Sequence, residues 1–295
     1  MSLFSSRPPK VVSWRINTKC NFQCVYCFAE TCVARATEMG HTIETYPTTL
    51  LKRLQGIFPA DTIMHLSGGE PFLMKGFEEF VGVMSEHFIL EIATNLSQDV
   101  SRFLQEVPSE RVNVINASLH ILEREKRQGS VEQFIERCLL LEASGFRVVV
   151  EYVCYPPLLR RLEQDVAALE AFDLEVEATQ FQGTFQGKVY PEAYSSSDRA
   201  LMTRFMETDS QEAVLAKNDN LNFMGCMCSA GLDTITIDPD GSVYRCIAYA
   251  NRQRECLGNI LTEKIELLDE PGACLVEECD CPFQGFLYAD LRLRR

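Results

Sequence analysis

The chain has 295 residues, 13 cysteines and a formal net charge of −14. That length suits one large domain, or one with a small appendage, and it can bury a sizeable core. Its 46% hydrophobic and 24% charged residues exclude a disordered chain, and the acidic balance disfavours a protein that grips nucleic-acid phosphates.

Periodicity predicts an alternation of short β-rich runs and longer helical patterns. Val11–Asn17 reads as a strand, and Pro47 to Phe58 as a helix with proline near its start. Then follow strand 62–66, helix 77–87, strand 89–94 and a helix over 98–107 that stops before Pro108. Strand 112–119 leads to an amphipathic helix over 131–143, closed by Gly145 as C-cap. Strand 148–154, helix 158–172 and strand 174–181 complete six units. Repeated βα units imply parallel strands with right-handed crossovers. Six are fewer than the eight that close a full barrel, so periodicity leaves a partial barrel and a doubly wound sheet both open. Residues 183–198 carry Gly, Pro and a serine triplet and read as a linker or loop, followed by a helix from Ser197 to about Lys217. The rest is short and cysteine-dense, too small for a large core of its own, so a metal staple is expected there.

Residues 1–10 hold no long apolar run, and no stretch of about 18 apolar residues occurs anywhere, so neither a secretory signal nor a membrane span is expected. The default compartment is the cytoplasm, where disulfides are rare and abundant cysteines point to metal or catalysis.

Cys20-Asn-Phe-Gln-Cys24-Val-Tyr-Cys27 is a C-x3-C-x2-C run directly after the first strand. Three thiolates on one loop can bind three corners of a [4Fe–4S] cube and leave the fourth iron open. Covalent haem wants His after the second Cys, where Phe28 stands, and a redox C-x-x-C does not need Cys20. A closed zinc site needs a fourth ligand, which Cys32 or His41 could supply.

With Tyr26 just before the third cysteine, the run resembles the hallmark of the radical S-adenosylmethionine (SAM) superfamily. Ser67-Gly68-Gly69-Glu70-Pro71 after the second strand resembles that family's GGEP motif, although alone it would be an ordinary turn. Thr94-Asn95 after the third strand and Ser118 at the end of the fourth are weaker matches, since either could simply bond a strand end. The resemblance covers about residues 10–182. It implies a partial (β/α)6 TIM-like barrel and a [4Fe–4S] cluster on Cys20, Cys24 and Cys27, whose open iron is chelated by SAM. It further implies that Tyr26 contacts the adenine, that Glu70 and the glycine backbone approach the methionine ammonium, and that Ser118 meets the ribose. Glycines suit a place where backbone must come close to a ligand. Such an enzyme cleaves SAM to methionine and a 5′-deoxyadenosyl radical, fed by an external donor such as flavodoxin or ferredoxin, while the protein positions the substrate and excludes water.

Further on, Cys228 leads through Asp238-Pro-Asp-Gly241, a hairpin signal, to Cys246; Leu257–Ile260 then precedes an expected helix, and Cys274, Cys279 and Cys281 follow. This resembles the twitch and SPASM extensions of radical SAM enzymes, which implies an auxiliary [4Fe–4S] cluster over about residues 223–295, with 183–222 as linker and helix. Cys228, Cys246, Cys279 and Cys281 are the expected ligands, with Cys274 as the alternative; a zinc staple is the competing reading. Of the remaining cysteines, Cys32, Cys138 and Cys226 are most simply structural. Cys154 and Cys256 could return hydrogen to a product radical, or be small buried hydrophobes. His120, Glu151, Tyr152, Gln180 and Gln182 lie near expected strand ends, and Glu123–Arg127 reads as a solvated face.

The expected function is hydrogen abstraction from a small polar, sugar-like substrate, ending in oxidation or epimerisation. The first strand begins near Val11, which leaves no room for a leader-binding domain and favours a small molecule over a peptide. The alternatives are a maturase acting on a peptide or protein or, in a different class, an Fe–S electron carrier or zinc-stapled binding module.

Overall fold

The computed structural model describes residues 10–27, 48–60, 62–206, 223–262, 264–277 and 279. Val11–Asn17 (β1), Thr48–Ile57 (α1), Ile63–Gly68 (β2), Phe77–Ser85 (α2), Ile89–Thr94 (β3) and Ser101–Glu106 (α3) come first. Val112–Ser118 (β4), Ile121–Arg124 (α4), Ser130–Ala143 (α5), Val148–Cys154 (β5), Leu162–Glu170 (α6) and Glu175–Gln180 (β6) follow. Strands β1 to β6 pair in parallel in chain order, giving the expected open, partial (β/α)6 barrel.

The two faces of this sheet differ sharply, because alternate side chains on a strand point to opposite sides. One face is apolar and sealed: Trp14, Met64, Leu66, Leu90, Ile92, Ala117 and Val150 are fully buried. Helices cover that side. The Trp14 ring meets Phe80 of α2 edge-on at 5.9 Å, and the Tyr152 hydroxyl donates to Asp165 of α6 at 2.7 Å. The opposite face carries polar, half-buried side chains, among them His65, Glu91, Asn116, Ser118, Glu151 and Glu177.

Residues 183–198, read as a loop, form instead a hairpin of Gly183–Phe185 (β7) and Lys188–Tyr190 (β8). The helix Ser196–Met202 (α7) then starts behind Ser195, whose side chain and that of Asp198 form a capping box. The helix expected to run from Ser197 to about Lys217 stops instead at Met202, followed by a 3-10 turn over Thr203–Phe205 and an extended Met206; residues 207–222 lie outside the described residues.

Met227–Cys228 (β9), Thr234–Ile237 (β10), Ser242–Tyr244 (β11), Ile247–Arg252 (α8), Cys256–Asn259 (β12) and Gly272–Ala273 (β13) make up the cysteine-dense part. The Asp-Pro-Asp-Gly turn joins β10 and β11 as an antiparallel hairpin, as its sequence predicts. The helix expected after Ile260 is not formed among the described residues: β12 ends at Asn259, and at Gly258 a Cβ would sit 2.5 Å from the Lys264 carbonyl oxygen. Nor is this part an independent sheet. Strand β10 pairs in parallel with β1, so β10, β11 and β12 extend the barrel sheet to nine strands.

An ion pair fixes the junction. Arg15 of β1, 2% exposed, donates to Asp238 at the hairpin turn and through Nη1 to Asn251 Oδ1 of α8 at 2.8 Å. Losing one partner of a buried pair leaves a charge without compensation. Asp238→Ala is therefore expected to lower unfolding stability by roughly 3 kcal/mol in chemical denaturation; a change under about 1 kcal/mol would show that the pair does not hold the junction.

Candidate functional site

Cys20, Cys24 and Cys27 lie on the loop that leaves the C-terminal end of β1, with Cys20 and Cys27 exposed and Cys24 half-buried. The Phe22 amide points at Cys20 Sγ from 3.4 Å, and the Asn95 side-chain amide lies 3.8 Å from the same sulfur. Burial, then the neighbouring Cys27, pushes the Cys24 thiol up to about 12. Ligation would therefore have to displace its proton.

Gly68 and Gly69 are also required by the packing of the protein itself. A Cβ on Gly68 would lie 2.5 Å from the Asn17 carbonyl oxygen, and one on Gly69 would overlap the Lys19 carbonyl. The glycines thus let the end of β2 press against the backbone that leads into the cysteine loop. Hydrogen bonds seal this contact: Gly69 N to Asn17 O at 3.1 Å, Glu70 N to Lys19 O at 2.7 Å, and Asn17 Nδ2 to Glu70 O at 2.8 Å.

The Glu70 carboxylate is likewise committed within the protein. It is fully buried, and it accepts from Thr94 Oγ1 at 2.6 Å, Phe72 N at 3.1 Å and Asn95 N at 2.6 Å. Burial pushes its pKa up, and the three hydrogen bonds pull it back. It ties the ends of β2 and β3 together and caps the turn Pro71–Leu73. Asn95 then bonds Asn21 Oδ1 at 3.0 Å, and Asn21 bonds Ser97 Oγ at 2.8 Å, which carries the tie into the cysteine loop. Ser67 lies beside Arg15 in the β1–β2 register.

Arg124 belongs to this assembly, and the solvated face expected over residues 123–127 is confined to Glu125, Lys126 and Arg127. Arg124 is 1% exposed and Glu123 6%. The guanidinium donates to the carbonyls of Leu119, Asn95 and Ser130, and it stacks 4.1 Å from the Phe134 ring and 5.3 Å from Phe22. Arg127 donates to Asn21 O at 2.9 Å. No helical periodicity could have shown this, because α4 is a four-residue turn.

Tyr26 is buried, 5.8 Å from the His120 ring and 5.3 Å from Tyr155. Ser118 Oγ donates to Glu151 at 2.9 Å, and burial raises the pKa of that acid. Of the other polar candidates, Tyr152 faces the helices, while Gln180 is buried at the end of β6 with Nε2 lacking a hydrogen-bond partner. Cys154 shares the strand face of Tyr152 and is fully buried in the core, so its thiol points away from the polar face; the hydrogen-donor idea does not suit that placement. Cys256 is exposed on β12, and Cys138 is fully buried on α5.

In the C-terminal part Cys228, Cys246 and Cys274 are buried together with Phe223 and Tyr249, and Cys279 packs at the margin. Cys274, the alternative ligand, is therefore brought inside with Cys228 and Cys246; Cys281 and Cys32 lie outside the described residues. Cys226, read as structural, accepts at its backbone carbonyl from Cys274 N at 2.8 Å. Arg245 sits behind this group, donating to Ala230 O at 2.9 Å, Gly272 O at 3.1 Å and Ala273 O at 3.3 Å. As placed, no three His, Cys, Asp or Glu side chains among the described residues converge closely enough to hold a metal ion. The donor sets nevertheless fit iron–sulfur ligation: two groups of thiols, with amide N–H groups pointing at sulfur from Phe22 to Cys20 and from Ala230 to Cys228, each at 3.4 Å.

Residues 14–166 match the family model of the radical SAM superfamily, and the chain belongs to that superfamily. Membership implies a [4Fe–4S] cluster and SAM. Among curated proteins it is similar to the GTP 3′,8-cyclase of Paracoccus denitrificans, 28% identical over 160 residues that cover 50% of this chain and 45% of the relative. The GTP 3′,8-cyclase of Brucella ovis is 29% identical over 151 residues, 47% of this chain and 42% of that one. The chain thus matches less than half the length of these relatives. Among solved structures, the sheet and helices resemble anSMEcpe with bound AdoMet (TM-score 0.57, 17% identity, 87% of this chain and 79% of that one). They also resemble SuiB of Streptococcus suis bound to S-adenosylmethionine (TM-score 0.58, 14% identity, 86% and 64%). No helix among the described residues is long and apolar enough to cross a membrane.

Gly69→Ala tests the packing role of the glycines. The forced shift, worth about 1–3 kcal/mol, is expected to move the loop and cut the iron retained after anaerobic reconstitution severalfold. Full iron retention would contradict it.

Proposed function

We propose that the chain is a radical SAM enzyme that abstracts hydrogen from a C–H bond of a small polar substrate held on the polar face of the sheet. The observation that carries this is the cysteine loop, locked at the C-terminal strand ends by Asn17, Gly69, Glu70 and Asn95, beside a polar and half-open face. When bound, cluster and SAM would supply a 5′-deoxyadenosyl radical by one-electron cleavage of the sulfonium bond. Cys20, Cys24 and Cys27 would hold the cluster. Tyr26 would pack on the adenine, and the turn Gly68–Pro71 with Thr94 and Asn95 would frame the amino-acid end. Ser118, already bonded to Glu151, would present the ribose side.

The polar face also speaks to substrate. Among its described residues Glu91, Glu151 and Glu177 are acidic, His65 pairs with Glu91, and Arg15 is engaged by Asp238. Such a lining favours hydroxyl or amine groups and opposes a triphosphate, although the curated relatives are named GTP 3′,8-cyclase. Oxidation or epimerisation of a hydroxyl-bearing carbon fits it. A twitch-like auxiliary cluster on Cys228, Cys246, Cys274 and Cys279 would accept the second electron of an oxidation. In an epimerisation the exposed Cys256 could return hydrogen, and a small electron carrier of the flavodoxin or ferredoxin kind would feed the first cluster.

Two cubes imply about eight irons per chain after reconstitution. Cys274→Ser is expected to bring the count to about four while SAM cleavage persists; an unchanged count would remove Cys274 from the ligand set. Cys154→Ala is expected to leave the ratio of product to 5′-deoxyadenosine unaltered, and an uncoupled ratio would reinstate that thiol as donor.

A further inference from the structure

We propose that His120 is a further cofactor-contacting residue, whose imidazole hydrogen-bonds the adenosine half of SAM beside Tyr26. It rests on the reading of the cysteine loop given under Proposed function. His120 lies just past the C-terminal end of β4, two residues beyond Ser118. Its walls belong to the cysteine loop: the Tyr26 ring at 5.8 Å, tilted by 37°, and the Phe22 ring at 6.1 Å.

Two costs are concentrated at this residue. Its backbone is left-handed, φ 46° and ψ 51°, a conformation that side-chain-bearing residues keep when the surroundings impose it. Here they do: Arg124 grips the preceding carbonyl of Leu119, and the carbonyl of His120 accepts from Glu123 N at 2.9 Å and Arg124 N at 3.2 Å. In addition, Nδ1 is buried without a hydrogen-bond partner. An unsatisfied buried polar atom weakens the fold, and packing alone would be served as well by phenylalanine. A ligand group that pairs with this nitrogen would offset the loss. The amino group of adenine and the hydroxyls of ribose are of that kind, and they arrive where Tyr26 is placed to stack. Burial and the nearby Arg124 keep the ring neutral, with one donor and one acceptor nitrogen. That suits a nucleoside and gives no grip on the charged methionine end.

The test uses the anaerobically reconstituted full chain and measures equilibrium binding of SAM, 5′-deoxyadenosine and methionine separately. His120→Phe is expected to weaken SAM and 5′-deoxyadenosine about tenfold, the effect of one lost hydrogen bond, with methionine affinity and iron content unchanged. His120→Asn, which accepts a left-handed backbone and keeps a hydrogen-bonding group, is expected to recover most of the loss. His120→Ala carries the comparison if phenylalanine lowers the melting temperature. Nucleoside binding within twofold of the wild type in the Phe and Ala variants would overturn the assignment, as would an equal loss of methionine affinity. A wild-type chain that holds iron yet binds neither SAM nor 5′-deoxyadenosine would overturn the underlying reading as well.

Discussion

The carboxylate of Glu70 is the point on which the site turns. A buried anion is costly unless hydrogen bonds surround it, and Glu70 meets that demand with Thr94, Asn95 and Phe72. Because those donors belong to the end of β3 and the turn after β2, satisfying the charge brings these two strand ends together. The backbone of the same residue grips Asn17 and Lys19, so the start of the cysteine loop is drawn into the same place. Arg124 closes the arrangement from the β4 side, with its cation spent on the Leu119, Asn95 and Ser130 carbonyls and on two aromatic faces. Loop position thus depends on buried polar bonds that water cannot easily replace.

The same logic runs through the second half. Arg15 and Asp238 fasten the hairpin to β1, and Arg245 holds the segments that carry Cys228, Cys246 and Cys274. A short, cysteine-rich stretch is thereby built onto the edge of a large sheet. Two buried arginines share the work that a metal staple alone was expected to do.

Most of the barrel was legible in the sequence because its signal is local. Val11–Asn17, Ile89–Thr94 and Val148–Cys154 are bounded as their apolar runs predict, and Gly145 ends α5 with φ 88° as a C-cap glycine should. The cysteine loop and Gly-Gly-Glu-Pro could be named from their resemblance to the radical SAM family. What spacing could not show was how Glu70 and the glycines are used, since their partners Asn17, Lys19, Thr94 and Asn95 lie one or two strands away. Arg124 was misread because a charged residue in a short turn looks solvated until Phe22 and Phe134 are seen around it. The parallel pairing of β10 with β1, across more than 200 residues of chain, leaves no local mark at all. The burial of Cys274 beside Cys228 and Cys246 could not be read either, because sequence distance is a poor guide to which thiols share a pocket.

Quantifying 5′-deoxyadenosine from SAM, with the anaerobically reconstituted chain under strong reductant, decides whether the cysteine loop supports radical SAM chemistry. It is expected to form in the wild type and to be lost in Cys24→Ala, even where the C-terminal cysteines still retain iron. No 5′-deoxyadenosine from a wild-type chain with its iron–sulfur content intact would contradict it.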